Sequence, residues 1–252
     1  LAHVASIAWD RLHACGGTAA GVPRLVHDIV HSSCRGAVEQ AWGELADTAC
    51  HQGMTTYDVT PALVRVVAAI AEAPNASRVN RVSAARFLAA VAMAGEFCLP
   101  DGTLHRAVWR RRSSAPSPSR DISMECRQAV GSVAPAVLKR LLDGRPSDRP
   151  WSVALAASVC EYLQVGDVRR LLELPVAGSS RLAAAVAILR SLTSGTTMPF
   201  PWIEGQAALD PAVSDELSAL IEDGSAPDVG ELARCVAYRL AEVEGSDAGQ
   251  EP

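Results

Sequence analysis

The chain has 252 residues, 49% of them apolar but only 4% aromatic, and a net charge of −5 at neutral pH. That length gives one large or two small domains, with enough apolar surface to bury a substantial core. The acidic balance excludes a general binder of phosphate backbones, which needs a basic face.

In chain order, Val4 to Leu12 predicts a short helix ending near Cys15-Gly16-Gly17. Val22-Pro23 opens a second, running to about Ser32, with Leu25, Val26, Ile29 and Val30 as its apolar face. Arg35 to Ala73 reads as one helical hairpin. In its first half Val38, Ala41, Trp42, Leu45 and Ala49 follow the i, i+3, i+4, i+7 spacing of an amphipathic helix. Gly53 suits the left-handed position that ends such a helix. Thr60-Pro61 supplies a hydroxyl cap and a proline at the first helical position. The second half, with Leu63, Val64, Val66, Val67 and Ile70, is apolar on most sides and so buried on most sides. Arg78 to Phe97 predicts a long helix whose centre, FLAAVAMA, is apolar all round.

Residues 99–120 break this rhythm. Their run RRRSSAPSPSR offers nothing to bury and predicts a mobile loop. Asp121 then caps a helix that Gly131 and Pro135 divide in two. Helices are expected over Trp151–Gln164, over Val168–Leu174 with Asp167 as its cap, and over Ser180–Leu192. Pro199 to Gly205 (PFPWIEG) reads as a turn with an aromatic anchor. Pro211–Glu222 and Asp228–Val243 are the closing helices, and 244–252 a disordered tail. No segment alternates with a two-residue period between turn signals, so no sheet is expected. The chain therefore predicts an all-α fold of about eleven helices joined by short connections, amphipathic ones alternating with nearly all-apolar ones. Stacked helical hairpins need that alternation; a compact bundle is the alternative. The divisions are 1–98, the loop 99–120, 121–243 and the tail 244–252.

Seven cysteines, an odd number with no CxxC, argue for reduced thiols in a cytoplasmic protein rather than a disulfide framework. The longest apolar run, around Phe87 to Ala94, is too short to span a bilayer, and no signal peptide is seen.

The run AWGELADTACHQG, followed by Tyr57, Thr60-Pro61 and a Val/Ala-rich helix, resembles bacterial HEAT-like repeat proteins. His51, Gln52, Gly53 and Tyr57 match that family's first full repeat. Met54 stands where threonine is usual, and Pro61 lies slightly early. Upstream, Trp9 with GTAAGVPRLVHDIV and, downstream, ARFLAAVAMAG are similar to its neighbouring repeats. The resemblance covers residues 5–98; beyond them only spacing supports it. It implies a right-handed α-solenoid of about five to six HEAT-like hairpins. It implies no single activity, because that scaffold serves as adaptor, toxin-immunity protein, DNA glycosylase, phycobilin lyase and occasional biosynthetic enzyme.

Several residues are candidates for chemistry. His51 and Gln52 fit a helix terminus, where imidazole meets the negative end of the dipole and the amide bonds a freed carbonyl. They also fit a polar pair at the mouth of a groove, with Tyr57 close by. His27 and His31 share a helix face at the spacing of a zinc protease, with Asp28 in the slot of its glutamate, but no third ligand is evident. A solvated face is the plainer reading, and no metal is assigned. Trp42 sits at a core position. Trp109 and Trp202 lie in or beside irregular segments, and Trp109 adjoins Arg110, Arg111 and Arg112, so these residues form a candidate partner-binding surface. Phosphate loops, GxSxG, HExxH and paired CxxC are absent from the sequence.

Two functions follow. The first is a helical-repeat binding module whose concave groove meets a protein partner, as adaptor or toxin-immunity protein. The alternative is a small-molecule biosynthetic or resistance enzyme, including a nucleobase-acting one. Its groove would use His51, Tyr57, Glu39, Glu44 and Asp58 as acid–base groups. In that reading Gln52 and Trp42 join the binding surface, and no cofactor is assigned. General nucleic-acid binding and membrane association are not expected.

Overall fold

A computed structural model describes residues 2–51, 55–94, 123–173, 178–222 and 229–248. The fold is all-α, built by helix-on-helix packing. Among the described residues there are eleven α-helices: α1 (Val22–His31), α2 (Arg35–Ala49), α3 (Thr60–Glu72), α4 (Arg78–Met93), α5 (Ser123–Leu142), α6 (Arg149–Ser158), α7 (Val165–Leu172), α8 (Ser180–Ser194), α9 (Phe200–Ala207), α10 (Pro211–Glu222) and α11 (Val229–Ala248).

The expectation of no sheet needs correction. Two minimal antiparallel ladders are present. β1 (His13–Ala14) pairs with β2 (Gly17–Thr18), and β3 (Cys50–His51) pairs with β4 (Thr55–Thr56). Two residues per strand carry no alternation to read, which is why periodicity misses them. The expected first helix is instead a pair of 3-10 turns, Ala2–Ser6 and Trp9–Arg11.

The hairpin of α2 and α3 follows from its apolar pattern. The buried residues of α2 are Val38, Ala41, Trp42, Leu45 and Ala49. On α3, Leu63, Val64, Val66, Val67 and Ile70 are all buried. The turn between them departs from expectation. α2 stops at Ala49, and His51 lies in β3 rather than at a helix end; Gly53 and Gln52 are outside the described residues. Thr60 is the first residue of α3 and not its cap. Its hydroxyl donates to the Ala49 carbonyl at 2.6 Å and accepts from the Tyr57 amide at 3.0 Å. One buried hydroxyl thus satisfies a carbonyl left open at the end of α2 and ties the two helices together.

Further along, α5 is continuous through Gly131 and Pro135 where a break was expected. At Gly131 a Cβ would lie 2.6 Å from the Tyr162 ring, so this glycine is a packing seat rather than a helix stop. Residues 199–205, read as a turn, begin α9. α6 ends at Ser158, before the expected Gln164, and a 3-10 turn over Cys160–Tyr162 follows. α11 continues to Ala248, into the segment expected as tail. Arg181 of α8 holds it there, donating to Asp247 at 2.6 Å with Glu244 at 4.0 Å. The loop 99–120 and the expected cap Asp121 lie outside the described residues.

α3 packs on α4 and α5, α4 on α5 and α6, and α1 on α2. The last helix crosses back to pack on α6 and α8. Small side chains permit this closeness: Ala154, Ala156 and Ala157 of α6 and Ala237 and Ala241 of α11 are fully buried. No helix among the described residues is long and apolar enough to cross a membrane.

Candidate functional site

Four of these helices leave a cavity of about 770 Å³ between them. From α2 it takes Arg35, Glu39, Trp42, Gly43 and Ala46, a stripe at helical spacing. From α4 it takes Arg78, Val82, Arg86 and Ala90, four apart along one face, with Val79, Ser83 and Phe87 beside them. Trp151 of α6 and Glu242, Gly245 and Ser246 of α11 close the far side. The result is a groove with an aromatic floor and charged side chains around it.

Two tryptophans set its shape. Trp42 is buried, and its indole N–H donates to Asn80 Oδ1 at 3.1 Å. The Asn80 amide in turn donates to the Ile29 carbonyl at 3.1 Å, and its backbone N–H is capped by Ser77 Oγ. A single buried asparagine therefore joins α1, α2 and α4. Trp151 is held differently. A Cβ at position 245 would come within 2.6 Å of its Cε2, so the indole lies flush on bare helix backbone. The guanidinium of Arg86 stands over the ring, 5.0 Å from its centroid, in a cation–π contact.

The charged groups are mostly paired. Arg35 Nε donates to Glu39 at 2.7 Å in an exposed pair. Arg78 reaches past the groove, Nε to Asp148 Oδ1 at 2.7 Å and Nη2 to Ser147 at 2.8 Å, and Asp148 is fully buried. Glu242 is bonded to Arg239, which also grips Glu216 through Nε at 2.8 Å and Nη2 at 2.6 Å. Burial raises the proton affinity of Glu216 and opposes the pull of Arg239. The buried Tyr238 phenol is pushed well up by burial and then by Glu242.

The residues singled out from sequence divide between places. Glu39 and Trp42 line the groove together. Glu44 does not; it accepts from Gln40 at 2.9 Å and from Arg24 of α1 at 3.4 Å. Tyr57 is half-buried beside Cys15 and Cys50 near the N-terminal ladders. Burial and then bonding with the Cys15 thiol push its phenol up to about 12. Burial raises Cys50 to about 12 as well, so Cys50 and Tyr57 stay protonated at neutral pH. His51 pairs through its backbone with Thr55; Asp58 is exposed in the turn and does not line the groove. Trp202 lies on α9, 36% exposed, and also apart from it. Gln52, Trp109, Arg110, Arg111 and Arg112 lie outside the described residues. The rings of His27 and His31 lie 4.8 Å apart and tilted at 47°, and no three metal-ligating side chains cluster among the described residues.

Sequence reasoning missed Arg35, Arg78, Arg86, Trp151 and Glu242 as site residues. For Arg78 and Arg86 a signal was available, since they share the stripe with Val82 and Ala90 on a helix whose centre was read as apolar all round. Trp151 and Glu242 reach the groove through non-local packing, which no local pattern encodes. Fold and groove together define an all-α protein with a cavity between packed helices. Compared with protein-family models, curated proteins and solved structures, the chain matches none.

Proposed function

We propose that the chain is a helical-repeat binding module of the HEAT-like kind, working by holding a ligand in the groove between α2, α4, α6 and α11 rather than by catalysis. The observation that supports this reading is the groove itself. Its volume of about 770 Å³ falls in the range of small-molecule sites, roughly 300–1,000 Å³. An apolar floor with a few charged groups is the usual composition of such a site. Of the acid–base candidates Tyr57, Glu39, Glu44 and Asp58 only Glu39 lines it, already bonded to Arg35, and the other carboxylate there, Glu242, is bonded to Arg239.

The α1–α2 and α3–α4 pairs suit the first two hairpins of a right-handed α-solenoid of about five to six. The return of α11 onto α6 and α8 is a departure from strict neighbour-to-neighbour stacking. Six described cysteines are free, in keeping with a cytoplasmic protein. A protein partner, as an adaptor or immunity protein would have, is the second reading. It is favoured by the stripes of α2 and α4 that line the groove, against which a projecting cluster of side chains fits.

Ala90→Trp tests the proposal by filling the groove from α4. The parent and the variant are each exposed to native extract, and retained small molecules and proteins are identified by mass. The expected result is a small molecule held by the parent and lost from a variant whose helical circular dichroism is unchanged. Equal retention by both would overturn the groove as the binding site. A protein lost on Ala90→Trp, with no small molecule, would favour the second reading.

A further inference from the structure

Resting on the groove as the binding site, the charges around it narrow what enters. Arg35 is bonded to Glu39, Arg78 to the buried Asp148, and Glu242 to Arg239. Arg86 differs. Among the described residues it has no carboxylate in ion-pair range; its guanidinium stands over the Trp151 ring and acts electrostatically on the buried Tyr238 phenol. A guanidinium that lies over a ring still has its edge N–H groups available, and a carboxylate matches that edge with two parallel hydrogen bonds. The neighbouring surface is aromatic and apolar: Trp42 and Phe87 are both buried side chains that line the cavity. Glu242 works in the opposite sense. Its partner Arg239 is shared with Glu216, so two carboxylates meet one cation and negative charge remains on the α11 side. An anionic group is therefore drawn to the α4 wall and kept off the α11 wall.

We infer that the groove takes a small aromatic monoanion, an aryl carboxylate in class, with its carboxylate on Arg86 and its ring against Trp42 and Phe87. Arg86 supplies the selection for charge, and the aromatic floor supplies the selection for a planar body.

Calorimetric titration with naphthoate, and with naphthamide as its uncharged isostere, tests this. The parent is expected to bind naphthoate about tenfold or more tightly than the amide, the usual scale for one charge-assisted pair. Arg86→Gln, an exposed position, should erase that preference while leaving weak binding of both, and Glu242→Gln should tighten naphthoate only. Equal affinity for the two probes in the parent, or a preference that survives Arg86→Gln, overturns the inference. So does absence of naphthoate binding below about 1 mM, a level that even a modest pocket reaches. Ala90→Trp separates the two claims. Probes that bind equally but are both lost on Ala90→Trp leave the groove standing and remove only its charge selection. Naphthoate binding that persists in Ala90→Trp removes the groove itself.

Discussion

The two walls of the groove each present a tryptophan, and they hold it by different physics. Trp42 is fixed by polar bonds: its N–H is satisfied by Asn80, whose own amide is satisfied by Ile29. Trp151 is fixed by shape: Gly245 gives it a flat bed, and Arg86 stands over the ring. A buried hydrogen-bond chain fails abruptly, because removing one member strands the others without water. A packing contact fails by degrees, because neighbours shift to absorb the strain. The α2/α4 wall should therefore be the brittle one and the α6/α11 wall the adjustable one.

Asn80→Ala should have the largest effect. It strands the Trp42 N–H and the Ile29 carbonyl in the core and is expected to cost about 2–4 kcal/mol, read as a lower urea midpoint. A loss no larger than that of an exposed alanine substitution would break the contrast between the walls. Gly245→Ala comes next. Its Cβ must displace the Trp151 ring, at about 1–3 kcal/mol, and ligand affinity should fall more than stability does. Unchanged melting and binding would mean that the indole does not need its glycine bed.

The smallest effect sharpens the comparison behind the α11 wall. Burial raises Glu216 above its ordinary 4.5, so the folded state holds that proton more tightly than the unfolded chain. Its contribution to stability is then full below about 4.5 and is lost as pH rises through the raised value. Glu216→Gln lacks that step. Its stability relative to the parent should grow with pH across the window, measured by urea denaturation at successive pH values. A gap that stays constant, or narrows, contradicts the assignment.

The sequence carried local information well and non-local information poorly. The buried face of α2, from Val38 to Ala49, was legible because its spacing is that of a helix with one covered side. The all-apolar centre of α4 marked it for burial but concealed Arg78 and Arg86, which share one stripe with the small Ala90. Turn residues misled in both directions. Gly131 looked like a break and is a seat for Tyr162, whereas Thr60 looked like a cap and is a cross-link to Ala49. Trp151 and Gly245 lie 94 positions apart by number, and nothing in either neighbourhood announces that they touch. Tyr57 stood out through a family resemblance but packs beside Cys15 and Cys50, whereas α2 lines the groove through its earlier turns, from Arg35 to Ala46.

The central claim is that the space between Trp42 and Trp151 is where a ligand sits. The most direct measurement is a nitrogen-15 NMR titration that follows the indole N–H signals of the five tryptophans as naphthoate is added. The account predicts movement of the Trp42 and Trp151 signals together, with Trp9, bonded to the Val4 carbonyl, and Trp202 on α9 left in place. Movement at Trp202 or Trp9 with Trp42 and Trp151 still would contradict it.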